Sequence, residues 1–262
     1  MRYEGIQGVP VFDCDEFREK ESAYCLLIPI INEGQRIIHE LERAQAAGID
    51  RICDIIICDG GSTDGTTGKL LAEHGINTML TKISEGKQGA QLRMGLWWAL
   101  ERGYKGFITI DGNDKDSIED VPAFIEKLEE GYDLVQGSRF IKGGKAINTP
   151  VSRWIAVRLI HAPIISLTAG KWFTDTTNAY RGYSKKYITH PSVQPFRDVF
   201  VTYELLAYLS VMATKLGLRA CEIPVRREYP KNEKAPTKIK GFRGNQQLLK
   251  ILFANLFGRY KV

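Results

Sequence analysis

Hydrophobic and polar positions fall into blocks along this chain, short apolar runs alternating with longer runs at helical spacing. Tyr24 to Ile31 is almost wholly apolar, as in a strand covered on both faces. Glu33 to Ala47 then places Ile37, Ile38, Leu41 and Ala44 on one stripe and is closed by Gly48, which predicts a helix. The same reading gives strands at Asp54 to Cys58, Ile76 to Leu80, Phe107 to Ile110 and Asp133 to Gln136. Between them it gives helices from Asp64 to about His74, from Gly89 to Arg102, and from a capping signature at Ser117 and Asp120 to a stop at Gly131. After residue 140 the rhythm weakens. Ala146 to Gly170 is basic, Trp-containing and partly amphipathic, and Thr174 to Tyr187 is polar and irregular. Thr202 to Leu216 predicts a helix, Arg219 to Val225 a strand, and Gln246 to Phe257 a last amphipathic helix.

Strands and helices in this order predict an α/β fold: an open, mainly parallel, Rossmann-like sheet with helices on both faces. Ligands on such sheets bind at the carboxyl ends of the strands. That rule selects Pro29 to Gln35, Asp59 to Thr66, Ser84 to Gln88, Asp111 to Asp116 and Gly137 to Phe140.

Composition narrows the picture. A chain of 262 residues, 44% hydrophobic and 26% charged, can bury one large core. The cysteines at 14, 25, 53, 58 and 221 are odd in number and lie mostly in apolar runs, so they read as core residues in a reducing compartment, without a disulfide. No apolar leader follows Met-Arg-Tyr-Glu, and the longest uncharged apolar stretch, Leu159 to Gly170, is interrupted by His161 and Pro163 and is too short to span a bilayer. The expectation is a cytoplasmic protein, compatible with peripheral contact on the inner face of a membrane. Formal net charge is +5, and the excess gathers at Arg226, Arg227, Lys231, Lys234, Lys238, Lys240 and Arg243, against Glu228 and Glu233. This run is either a solvated basic loop or a site for an anionic partner. Nucleic acid is disfavoured, because no stacking motif or recognition helix accompanies it.

The densest candidate chemistry is at Asp111-Gly112-Asn113-Asp114, with Asp116 beyond. A buried strand delivers a cluster of oxygen ligands there, and Gly112 is read as the turning point. Oxygen-only donors suit Mg²⁺ or Mn²⁺; the other reading is an ordinary turn after a strand.

Ile28-Pro29-Ile30-Ile31-Asn32-Glu33, Cys58-Asp59-Gly60-Gly61-Ser62-Thr63-Asp64-Gly65-Thr66, Gly86-Lys87-Gln88-Gly89-Ala90 and Asp111-Gly112-Asn113 occur in that order. They resemble the signatures of family 2 glycosyltransferases with a GT-A fold. Gly137-Ser138-Arg139-Phe140, Asn178-Ala179-Tyr180-Arg181, Glu204, Glu222-Ile223-Pro224 and Thr237-Lys238 are similar to the dolichyl-phosphate mannose synthase and polyprenyl-phosphate branch. The resemblance runs from about residue 24 to 245. It implies an N-terminal extension over 1–23, a nucleotide-sugar half over 24–140, and an acceptor half over 141–262 of the same domain.

It also implies roles. Pro29, Asn32, Glu33, Asp59, Lys87 and Gly112 would face the nucleotide, although Asp59 also suits a turn and Asn32 a helix cap. Asp111, with Asn113 or Asp114, would hold the metal that bridges the donor diphosphate. Arg139, Arg153, Arg181, Arg227 and Lys238 look like the acceptor-phosphate positions, with Arg139 also counted among the catalytic residues. A hydroxyl acceptor would instead need a general base, Glu204 first and Asp198 second. Two positions depart from the family: Gly60 replaces a carboxylate, and Asn113 makes the usual Asp-x-Asp one charge poorer. The implied activity is a metal-dependent, inverting transfer of sugar from a nucleotide diphosphate to a polyprenyl phosphate or a surface-polysaccharide intermediate. The alternatives are a sugar nucleotidyltransferase, for which the early glycine-rich basic signature is missing, and a nucleotide-binding scaffold with lost catalysis.

Overall fold

Each apolar run read as a strand becomes one, and three further strands, all missed in the sequence, join them in the main sheet. The computed structural model describes residues 1–231 and 241–261. In chain order the elements are β1 (Arg2–Tyr3), β2 (Phe12–Glu16), β3 (Tyr24–Ile30), α1 (Gln35–Ala46), β4 (Asp54–Asp59), α2 (Gly68–Ala72), β5 (Thr78–Lys82), α3 (Gln88–Glu101), β6 (Gly106–Thr109), α4 (Val121–Glu129), β7 (Leu134–Ser138) and β8 (Lys145–Ile147). There follow α5 (Val151–Ile155), a π-helical turn (Ala156–His161), α6 (Ala162–Ala169), β9 (Arg181–Ser184), α7 (Lys185–Ile188), α8 (Glu204–Lys215), β10 (Ala220–Pro224), β11 (Arg226–Glu228) and α9 (Gly241–Leu256).

The main sheet has nine strands in the order β1-β2-β5-β4-β3-β6-β9-β7-β10, and β8 pairs with β11 in a small second sheet. The central β5-β4-β3-β6 block is parallel. Successive residues of β3 alternate between two cores: Cys25 and Leu27 join α3 and α8, whereas Leu26, Ile28 and Ile30 join α1, α2 and α4. This is why β3 reads as unbroken hydrophobicity. Pro29 is tolerated in this central strand for a geometric reason. Leu27 accepts the Ile110 N–H on the β6 side, and Pro29, two residues on, faces the same side beyond the last residue paired with β6. Its missing N–H therefore leaves no ladder bond unmade.

The N-terminal segment adds β2 antiparallel to β5, and β1 to β2. The irregular reading of Thr174 to Tyr187 misses β9, which runs antiparallel between β6 and β7. Its sequence, Arg-Gly-Tyr-Ser, gives no alternation. The helix expected from Asp64 shortens to Gly68–Ala72 and is capped by Thr67 Oγ1, which accepts the Leu70 N–H at 3.3 Å. Among the described residues no helix is long and apolar enough to cross a membrane.

Candidate functional site

Two loops flank the exit of β3, one after β4 and one after β6. In the first, Asp59 is buried and its carboxylate accepts the Gly61 N–H at 3.0 Å, the Ser62 N–H at 3.0 Å and the Ser62 hydroxyl at 2.5 Å. Ser62 Oγ in turn accepts the Asn32 N–H at 2.9 Å, and Asn32 Oδ1 accepts the Thr63 N–H at 2.7 Å. Asp59 is thus the anchor of its own turn, with both oxygens engaged within the loop. Asn32 does not cap a helix. It holds a left-handed backbone, φ 50°, and the N-cap of α1 is Gly34. Glu33 is buried and pairs with Arg36 at 2.7 Å. A Cβ at Gly60 would lie 3.1 Å from Gln91 Nε2, which donates to the carbonyls of Ile30 and Cys58 at 2.7 Å. The glycine that departs from the family thus admits the glutamine that ties the ends of β3 and β4.

The second loop is built around charge. Gly112 is buried, and a Cβ there would meet Ile30 Cγ2 at 2.5 Å and Ile28 Cγ2 at 2.9 Å. Close packing on β3 is what demands glycine here. The left-handed residue is Asp114, φ 55°. Asp114 turns toward α1, where its N–H donates to Glu40 and its carboxylate meets Arg43 at 2.7 Å and His39. That removes it from the metal-ligand set. Burial pushes the Glu40 carboxyl well above its ordinary range. Asp116 is buried against Arg227, the two also forming an isolated β-bridge.

Asp111 stays partly exposed, with 22% of its side chain accessible. Its Oδ1 accepts from Gln88 Nε2, in the first turn of α3, at 2.9 Å, and its Oδ2 lies 3.2 Å from Arg227 Nη2. Burial alone would raise its carboxyl, but Arg227 and Lys115, with the hydrogen bonds from Arg227 and Gln88, hold it below the usual value. Around Tyr229 three cations converge: Lys115 Nζ 5.3 Å from the ring centre, the Arg153 guanidinium at 5.5 Å and that of Arg227 at 5.8 Å. Arg153 Nη1 also donates to the Tyr229 hydroxyl at 3.0 Å. Burial would raise this phenol, yet Arg227, Arg153 and Arg139 bring it below its ordinary value.

Other expected cations are corrected. Arg139 is buried in a bidentate pair with Asp175 at 2.6 and 2.8 Å, so its guanidinium is committed to bracing the exit of β7. Arg181 is buried and donates to the carbonyls of Thr176, Asn178 and Leu206, which makes it a backbone clamp in place of a phosphate ligand. Lys87 is exposed at the N-cap of α3. Lys238 lies outside the described residues. Glu204 opens α8 with both oxygens on Thr202, at 2.5 Å to its N–H and 2.7 Å to its hydroxyl. Asp198 is exposed and pairs with Arg93 at 2.8 Å, remote from Asp111 in its bonding.

The donor set fits a divalent cation held through one carboxylate. Besides Asp111, Asn113 Oδ1 is buried without a hydrogen-bond partner, and Asn113 N–H is folded back onto the Asp111 carbonyl at 2.8 Å. Two such oxygens leave the remaining positions to substrate phosphates, the usual arrangement for Mg²⁺. Among the described residues no group of three or more His, Cys, Asp or Glu forms a protein-only cage.

The model of "Glycosyl transferase family 2" matches residues 25–190, which include both loops. The chain belongs to this family. Among its relatives, the undecaprenyl-phosphate mannosyltransferase of Micrococcus luteus is 26% identical over 219 residues, covering 82% of this chain and 86% of the relative. The polyprenol monophosphomannose synthase of Mycolicibacterium smegmatis is 23% identical over 239 residues, covering 89% and 87%. In solved structures, glucosyl-3-phosphoglycerate synthase from Mycobacterium tuberculosis, in complex with Mn²⁺, UDP and phosphoglyceric acid, superposes with TM-score 0.62 at 16% identity, over 92% of this chain and 79% of that one. That likeness shows the GT-A fold, as the βαβ pattern and motif order led one to expect.

This family 2 glycosyltransferase carries three site residues that sequence reasoning passed over as functional: Lys115, Gln88 and Tyr229. Gln88 stood inside a quoted motif, and a lysine four residues after Asp111 was visible. Tyr229 gave no signal, because its place depends on the small β8–β11 sheet.

Proposed function

We propose that this enzyme moves a sugar, with inversion, from a nucleotide diphosphate donor to a polyprenyl phosphate, aided by Mg²⁺ or Mn²⁺. The observation that carries the reading is the convergence of Arg153, Arg227 and Lys115 on Tyr229 beside Asp111. Asp111 and Asn113 would hold the cation, which supplies charge neutralisation at the diphosphate. Arg227 orients Asp111. Arg153, less buried and at the base of α5, is the cation best placed for an acceptor phosphate. An ionised phosphate is already a nucleophile and needs no base, which agrees with a Glu204 carboxylate committed to Thr202. The relatives named for undecaprenyl-phosphate and polyprenol products support the acceptor class. The division into a donor half over 24–140 and an acceptor half over 141–262 belongs to the same proposal.

From Arg153 onward α5, the π turn and α6 expose Trp154, Ile155, Leu159, Ile160 and Leu167, and Trp172 follows. We assign this face to a membrane surface, where the acceptor's lipid tail resides. The test is transfer from labelled UDP-, GDP- and CDP-sugars to undecaprenyl phosphate or to unphosphorylated undecaprenol. Label should enter the lipid phase with the phosphate alone, and Arg153→Ala should lower that rate about tenfold or more, as for a lost charged hydrogen bond. Glu204→Gln should remain active, and the protein should pellet with anionic vesicles at low salt and release at high salt. Transfer to undecaprenol that depends on Glu204 would overturn the phosphate reading in favour of a hydroxyl acceptor.

A further inference from the structure

Lys115 is the least expected group in the site. It is 5% exposed, and its Nζ lies 5.3 Å from the Tyr229 ring centre, where the Arg153 and Arg227 guanidinium groups also converge. Its attachment point is firm. The Lys115 carbonyl accepts the Glu228 N–H at 2.8 Å, while Asp114 on one side is held by Glu40 and Arg43, and Asp116 on the other by Arg227.

The surrounding charges show what a cation there can do. The loop keeps one carboxylate, Asp111, for a divalent ion, its Asn113 donor is neutral, and Arg227 is divided between Asp111 and Asp116. A departing nucleoside diphosphate gathers more negative charge than one such ion neutralises, and a buried cation acts more strongly than the same charge in water. We propose that Lys115 is a catalytic residue whose ammonium contacts the donor diphosphate and stabilises it as it leaves. The inference rests on the nucleotide-sugar reading above and adds a residue to it. In the step, the bond from sugar C1 to the diphosphate oxygen breaks with its electron pair left on that oxygen. An acceptor phosphate oxygen supplies the pair for the new bond to C1. The ammonium keeps its protons and hydrogen-bonds the departing oxygen, so no proton needs to move.

The experiment is titration of UDP, GDP and CDP into wild type, Lys115→Gln, Lys115→Met and Lys115→Arg, in excess chelator and with Mn²⁺, beside turnover with the matching sugar donor. Wild type should bind one of these diphosphates measurably even in chelator. Lys115→Gln and Lys115→Met should weaken that binding by roughly tenfold or more, with a smaller loss when Mn²⁺ shares the charge, and should lower turnover more than they raise the donor KM. Lys115→Arg should recover part of both. A merely structural lysine would lower both arms equally and would track the unfolding midpoint; that result, or wild-type affinity in chelator for both neutral variants, overturns the inference. If wild type binds no nucleoside diphosphate even with Mn²⁺, the nucleotide reading fails first and takes Lys115 with it.

Discussion

The loops after β4 and β6 leave the same sheet edge on either side of β3, yet they are held by opposite means. In the loop after β4 every described polar contact is short-range or reaches the adjacent β3 loop: Asp59 to Gly61 and Ser62, Asn32 to Ser62 and Thr63, Asp64 to Gly34 and Thr66. Hydrogen bonds to backbone fix its outline, and most of its residues stay accessible. In the loop after β6 the decisive contacts are between charges far apart in sequence, Asp111 and Asp116 with Arg227 and Asp114 with Arg43, in largely buried surroundings. A surface that recognises a ligand by shape needs the first arrangement; one that must manage charge as a bond breaks needs the second.

The largest effect should separate two aspartates within the β6 loop. Asp111→Asn keeps the shape but removes the accessible carboxylate, and turnover should fall by a factor on the order of 10² to 10³. Stability should hardly change, because Arg227 keeps Asp116. Asp116→Asn should do the reverse, leaving the buried Arg227 short of its main partner at a cost of about 3 to 5 kcal/mol in unfolding free energy. Denaturant unfolding of both variants, next to single-turnover rates, checks the split. An Asp111 variant as unstable as the Asp116 variant would mean that this loop too is mainly scaffold.

Asp59→Asn tests the other side at a smaller scale. Three donors lose a charged acceptor, worth about 1.5 to 3 kcal/mol of stability, and nucleoside diphosphate affinity should fall with it, equally in chelator and in Mn²⁺. Weakened binding with an unchanged unfolding midpoint would show a direct nucleoside contact and restore the role expected of Asp59 from its motif.

The same contrast explains what could be read in the sequence. Strand β3 announced itself because both of its faces are buried, and the strand exits followed from the βαβ order. Asp111 was legible as the end of an apolar run. The fates of Asp114, Arg139 and Arg181 were not, since each depends on a partner brought in by the fold: Arg43 from α1, Asp175 from the segment before β9, and three carbonyls gathered around Arg181. A motif gives the residue type at a position. Whether an arginine there meets solvent or a buried carboxylate is decided by tertiary contacts, and β9 itself, with its glycine and buried arginine, carried no periodic signal.

Asp64 offers the smallest and most selective test, because it belongs to the β4 loop and its carboxyl is also held below the usual value. Slight burial would raise it, but hydrogen bonds from Thr66 and Gly34 outweigh that, with no cation among the causes. A depressed folded-state value means that the group adds stability above the unfolded carboxylate range, about pH 3.9. That contribution disappears as pH falls through the lower folded-state value. Since Asp64 is exposed, screening by solvent keeps it to a few tenths of a kcal/mol. The unfolding midpoint of wild type should therefore exceed that of Asp64→Asn slightly from pH 5 to 7 and converge with it below about pH 3. The difference should be nearly insensitive to salt, as expected of hydrogen bonds to backbone and not of ion pairs. A difference that shrinks in high salt at neutral pH would mean that charge also shapes the β4 loop, and the two exits of the sheet would then be less unlike than their contacts indicate.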